Sequence, residues 1–246
     1  MYDLTQLAGA LRLPEPVVME TAALVLPLWK SAMAEWSRVN TLDVVEATAM
    51  LAVLRHGGTN PVRLLEVGTQ FGVSACILHD GLEALGIQPL IRTYDVRRES
   101  HLFKPGEVDF RCEDITDRCG AVLDEFMPHA VFLDAHPWHV TYNLTVAARQ
   151  RGLIIFMHDI SDALWAHNLQ SGQLPLQGHE CDPNAVWERK VLETVFGPGI
   201  HAGHYQSDDY VVDLIRSRLG VAICRPLASG RSSRDVDLYV NKVKLA

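Results

Sequence analysis

The stretch Arg63–Ser74, reading RLLEVGTQFGVS, constrains the fold of this 246-residue chain more than any other. Leu64, Leu65 and Val67 surround Glu66 in a short apolar run. Gly68 and Gly72 bound a turn after that run, and a helix-like apolar run extends from Val73 to Leu78. A buried strand that runs into a glycine turn and then a helix is how an α/β sheet presents backbone N–H groups to a ligand.

The segments around it repeat the pattern. Strands are expected at Val62–Val67, Leu90–Asp95, Val108–Cys112, Ala130–Asp134 and Leu153–Met157, with helices between them at Val73–Leu85, Cys119–Phe126 and Val140–Gln150. A helix over Ala185–Phe196 and a closing pair of strands, Tyr210–Ile215 and Gly220–Arg225, complete the set. This alternation predicts an α/β, Rossmann-like, doubly wound sheet of seven strands, mostly parallel with an antiparallel last strand. Residues 1–57 read as N-terminal helices, the third starting at Thr41-Leu42-Asp43 and stopping at Gly57-Gly58. Glu46 apart, that segment has no titratable cluster and reads as packing against the sheet or a partner subunit. Residues 161–184, which include Trp165, form a mixed polar and aromatic insertion beside the strand ends and read as a lid. Residues 229–246 read as a tail, and the whole chain as a single domain.

The acids follow the strands. Asp95 ends the second, Glu113 and Asp114 follow the third, Asp134 ends the fourth and Asp159 follows the fifth, while Glu66 lies inside the first. Ligands of open α/β sheets bind outside the carboxyl ends of the strands. The turn Gly68-Thr69-Gln70-Phe71-Gly72 places Gln70 where a dinucleotide fingerprint has its second glycine, which serves a pyrophosphate poorly. Glu66 opposes phosphates as well and suits a cationic ligand, and Asp95 can accept from both hydroxyls of a ribose.

The runs LLEVGTQFGVS, YDV, CEDI, VFLDAH and GLIIFMHDI together resemble class I S-adenosylmethionine-dependent methyltransferases. Among them the chain is similar to the catechol-type small-molecule O-methyltransferases and to the macrocin and cephalosporin-hydroxylase group, over about Val44 to Pro226. The resemblance implies that Glu66, Gly68, Thr69 and Gly72 hold the methionine part of S-adenosylmethionine, with Ser74 near its carboxylate. It implies Asp95 at the ribose, Glu113 and Asp114 near the adenine, and Asp134 beside both cofactor and metal. Asp134 and Asp159 would bind a divalent metal, Mg²⁺ first among the candidates, since hard carboxylate oxygens suit it and the ion acidifies a bound hydroxyl. Ile160 stands where the catechol pattern has an amide ligand, which makes His158 the substitute. The macrocin pattern's second acid is missing from Asp134-Ala135-His136-Pro137. His136 or His139 would deprotonate the acceptor, a small hydroxylated molecule such as a sugar, phenol or natural product.

Composition limits the alternatives. A net charge of −8 argues against a nucleic-acid backbone binder. Five scattered cysteines without a CxxC pair fit a reducing compartment, and no run of about 18 uninterrupted apolar residues marks a membrane span. A cytoplasmic protein is expected, and the apolar N-terminal helices suit a homodimer or higher homo-oligomer. Two other readings stay open at this point: a nucleotide-dependent oxidoreductase on a similar fold, and a non-catalytic methyltransferase-like partner subunit.

Overall fold

The computed structural model of the chain describes residues 3–35, 42–97, 103–104, 106–135, 137–161, 187–217 and 219–227. Helices α1 (Leu4–Leu11), α2 (Glu15–Glu35) and α3 (Val44–His56) precede β1 (Val62–Val67). The chain continues through α4 (Val73–Ala84), β2 (Pro89–Asp95), β3 (Val108–Cys112), α5 (Cys119–Phe126), β4 (Ala130–Leu133), α6 (Trp138–Gln150) and β5 (Ile154–His158). Helix α7 (Glu188–Phe196), a 3₁₀ turn (Pro198–Ala202), β6 (His204–Gln206), β7 (Tyr210–Ile215) and β8 (Val221–Pro226) complete the order.

The strands form one sheet in the order β3-β2-β1-β4-β5-β8-β7-β6. Strands β1 to β5 are parallel throughout, β8 runs antiparallel to β5, and the β8–β7 and β7–β6 pairs are antiparallel. The sheet therefore has eight strands where seven were expected. The additional one is β6, a three-residue polar edge strand, and short polar edges are how a sheet avoids pairing with another chain.

Side-chain alternation splits the core into two layers. Leu64, Phe132, Phe156 and Ile223 face α1–α4, while Leu65, Val131, Ile155 and Cys224 face α5–α7. The order reverses between β1 and β4, and this switch point opens a crevice at the strands' carboxyl ends. Two local signals aim residues at it. Helix α3 starts at a capping box in which Asp43 Oδ1 accepts from the Val45 and Glu46 N–H groups while Glu46 Oε2 accepts from the Asp43 N–H. Helix α6 starts at Trp138, two residues earlier than its apolar pattern indicated, which places His139 in the first turn.

Helix α2 has the length and composition of a membrane span, and it packs against α1, α3 and α4 with 22% of its most apolar window buried. Cys76, Cys112, Cys119 and Cys224 are free thiols. The tail at 229–246, and the lid expected at 161–184 beyond Ser161, lie outside the described residues.

Candidate active site

The glycine turn is held from both sides. The Gly68 N–H donates to the Tyr94 carbonyl at 2.9 Å, and the Gly72 N–H to the Thr69 carbonyl at 2.7 Å. Gly68 has φ +100° and its backbone presses on the end of β4, so that a Cβ there would collide with the Asp134 carbonyl. No other residue satisfies both the dihedral and the space. Across the turn, Asp95 Oδ2 accepts from the Gln70 N–H at 2.8 Å and Oδ1 from the Arg97 N–H at 2.9 Å. A carboxylate offers about four acceptor positions, so Asp95 clamps the turn and still has lone pairs for a diol.

Glu66 points inward. It is fully buried, with Oε1 accepting from the Ser74 hydroxyl at 2.5 Å and Oε2 from the Thr93 hydroxyl at 2.6 Å. Thr93 Oγ1 also lies 2.5 Å from Thr69 Oγ1. Burial pushes the Glu66 carboxyl up to about 7, Asp134 and Asp95 add to the rise, and the two hydroxyls only partly offset it. Ser74, in the first turn of α4, and Thr69, in the turn itself, thus tie the turn to β1 and β2 through Glu66 and Thr93. Beyond β3, Glu113 pairs with Arg118. Asp114, held below the usual carboxylate range by the Thr116 hydroxyl and N–H, accepts from both at 2.7 and 2.9 Å.

The other half of the crevice gathers Asp134, His158 and Asp159, whose ligating atoms lie within 4.8 Å of one another. His158 is 2% exposed. Its Nδ1 is 2.8 Å from Asp134 Oδ1 and 3.5 Å from Asp159 Oδ1, and its Nε2 is 3.1 Å from Glu46 Oε2. Burial pulls the imidazole pKa down, but Asp134, Glu46 and Asp159 outweigh it and hold the ring well above its ordinary value. Asp159 has φ +58°, the left-handed region that β-carbon sterics disfavour, and such outliers gather at functional sites.

Glu46 is the site residue that the sequence pattern does not reveal. It is fully buried. Besides the Asp43 N–H and His158, it accepts from the Gly220 N–H at 2.7 Å and from the Ser217 hydroxyl. Burial raises its pKa, yet the hydrogen bond and charge of His158, together with Ser217, bring it below the usual carboxylate value.

The donor set fits a divalent ion. Two carboxylates offer hard oxygens, and a histidine whose far nitrogen donates to a carboxylate can present the near one, once an ion displaces the proton that Nδ1 shares with Asp134, in the arrangement metal sites use. Of the two histidines expected as bases, His139 is exposed in the first turn of α6, and His136 lies outside the described residues. Trp138, in the same turn, stacks on Tyr142 with ring centroids 5.6 Å apart and planes at 11°.

No family model matches the chain, and no curated protein matches it. Solved structures do. The MycE methyltransferase of the mycinamycin biosynthetic pathway, in complex with Mg, S-adenosylhomocysteine and mycinamycin VI, aligns with TM-score 0.52 at 15% identity, over 85% of this chain and 57% of that one. A second crystal form of MycE with Mg and S-adenosylhomocysteine aligns with TM-score 0.50 at 12% identity, over 81% and 53%. The S-adenosylhomocysteine-bound methyltransferase PaMTH1 of Podospora anserina aligns with TM-score 0.46 at 16% identity, over 83% and 88%. The chain spans a little over half the length of MycE, and what it shares with MycE is the fold.

Proposed function

We propose that this chain, which has the fold of the S-adenosylmethionine-dependent methyltransferases, methylates a hydroxyl of a small molecule with the help of a divalent ion. The observation that supports this best is the meeting of two halves at one switch point. Gly68, in the turn that suits an adenosine cofactor, touches the backbone of Asp134, in the cluster that suits a metal. MycE, with a similar fold, binds Mg, S-adenosylhomocysteine and mycinamycin VI, and a hydroxylated natural product is the acceptor class we propose here.

When bound, S-adenosylmethionine supplies an electrophilic methyl group and the ion supplies positive charge that acidifies an acceptor hydroxyl. The chain's own residues do the rest. Gly68 and Gly72 let the backbone approach the methionine moiety, and Asp95 accepts from the ribose hydroxyls. Asp134, His158 and Asp159 hold the ion. The acceptor proton goes to His139 or His136, since both nitrogens of His158 already face carboxylates. Trp138 offers its face to the acceptor. Most of the rate gain comes from positioning.

The test is calorimetric titration of the protein with S-adenosylhomocysteine and with NADH, each with and without Mg²⁺, followed by the Asp159→Ala variant. The expected result is binding of S-adenosylhomocysteine alone, with cofactor affinity retained and methyl transfer lost in the variant. Preferential binding of NADH would overturn the cofactor assignment in favour of an oxidoreductase, and full methyl transfer in chelator would overturn the metal.

A further inference from the structure

The geometry points to Glu46 as the residue that positions His158 for the metal cluster, so that the N-terminal helical segment supplies part of the active site. This rests on the metal reading above. The capping box alone does not explain where Glu46 lies. A cap needs only the contact between Oε2 and the Asp43 N–H, and such boxes work at solvent-exposed helix starts. Here the carboxylate is fully buried and every hydrogen-bond partner it has among the described residues donates: the Asp43 N–H, the His158 Nε2–H, the Gly220 N–H and the Ser217 hydroxyl. Those donors come from α3, β5 and the β7–β8 turn, so three separate elements converge on one side chain.

An imidazole has two nitrogens on opposite edges of a rigid ring. Fixing Nε2 against Glu46 at 3.1 Å therefore turns Nδ1 toward Asp134 at 2.8 Å and Asp159 at 3.5 Å. The Phe132 ring, edge-on with its centroid 6.2 Å away, packs the flank of the imidazole. A ring flip would set a carbon against each carboxylate and lose both contacts. Glu46 touches neither the ion nor the substrate in this assignment and acts through His158 alone.

The experiment measures Mn²⁺ affinity of the full chain, loaded with S-adenosylhomocysteine, by electron paramagnetic resonance. Glu46→Gln is the sharpest variant, because the backbone N–H groups of Asp43 and Gly220 approach opposite oxygens. An amide NH₂ must then face a donor whichever way it turns. The expected result is Mn²⁺ affinity weaker by about 10- to 100-fold, the usual effect of removing a metal ligand's outer partner, with S-adenosylhomocysteine affinity unchanged. In a His158→Asn background the same substitution should cost nothing further, whereas a merely structural Glu46 would cost as much as before. Wild-type Mn²⁺ affinity in Glu46→Gln, or an equal loss in the His158→Asn background, overturns the proposal. If Glu46→Gln does not fold, ¹⁵N-histidine spectra of the wild-type protein with diamagnetic Zn²⁺ decide: Zn²⁺ should shift Nδ1 of His158 and leave Nε2 protonated, and the reverse pattern overturns it. A wild-type protein that binds no Mn²⁺ removes the metal reading and this inference together, while tight binding indifferent to Glu46 removes the inference alone.

Discussion

Glu66 sits in the strand that leads to the turn, and its surroundings set a pH dependence on the fold. The native carboxyl titrates at about 7 against an ordinary value of 4.5. Between those values the native state keeps a proton that the unfolded chain has released, so stability falls as pH rises through that window. The loss by pH 8 amounts to about 3 kcal/mol. Glu66→Gln should remove it, because the amide fits the same hydroxyls. Its oxygen accepts from Ser74, its NH₂ donates to Thr93 Oγ1, and the Thr93 hydroxyl turns to Thr69. Urea titrations at pH 5 and pH 8 should show a smaller pH effect in the variant, and a wild-type slope would refute the assignment. Asp95 is the complementary residue, accepting from the turn on its outer side. Asp95→Ala frees the Gln70 N–H and removes the ribose acceptor we propose, and calorimetry should show S-adenosylhomocysteine binding at least about 10-fold weaker, a loss of about 1.4 kcal/mol. At this scale the sequence showed which residues stand near the strand ends but not which way they point. Asp134, His158 and Asp159 were legible because strand ends bring them to one edge. The inward turn of Glu66 and Ser74 was not, because it depends on Thr93 in the neighbouring strand. Glu46 stayed hidden because an acid three residues after Asp43 is already explained as a helix cap.

The elements themselves were easier to read. The patterns for β1, β3, α5 and β7 coincide with the structure residue for residue, since each is a short apolar or alternating run with clear punctuation. Strand β6 escaped because its three residues, His204, Tyr205 and Gln206, carry no apolar alternation, and only pairing with β7 makes them a strand. Helix α6 began earlier than its apolar stripe because Pro137, with φ −60° and ψ 126°, fills the cap position without contributing to the stripe. The start of α3 supports a prediction of its own. Asp43→Ala removes the acceptor for the Val45 and Glu46 N–H groups and should lower stability by about 1 kcal/mol in denaturant titration. No change in the transition midpoint would mean that tertiary contacts alone hold the helix start.

Across the whole molecule, polar chains that run from the surface to buried acids join segments far apart in sequence. Arg12, just past α1, lies 2.5 Å from His204 Nε2 on the edge strand β6. His204 Nδ1 reaches Asp213 Oδ1 on β7 at 2.6 Å, and Arg225 on β8 donates to Asp213 Oδ2 at 2.5 Å. Asp213 is 1% exposed and is the shared acceptor of this line. Asp213→Ala leaves the largely buried Arg225 guanidinium without its counter-charge and should cost about 3 kcal/mol, read by thermal or urea unfolding. A loss below about 0.5 kcal/mol would place the line among ordinary surface ion pairs. The doubly wound, mostly parallel sheet and the acids along its carboxyl edge were legible at this scale because strand–helix alternation dictates them, whereas the strand order, and with it the switch point between β1 and β4, came only with the structure. The cross-links were not, because single polar residues in separate elements leave no periodic trace.

The cap of α3 has a consequence for how this chain tolerates length changes. Glu46 is at once the third residue of its helix and the anchor of a ring on the far side of the crevice, so the helix start works as an index mark. Residues inserted before Leu42 leave the mark where it is. One residue added or removed between Asp43 and Glu46 turns the carboxylate by about 100° around the helix axis, away from His158. Variation in the length of this protein is therefore admissible ahead of the cap and inadmissible immediately behind it.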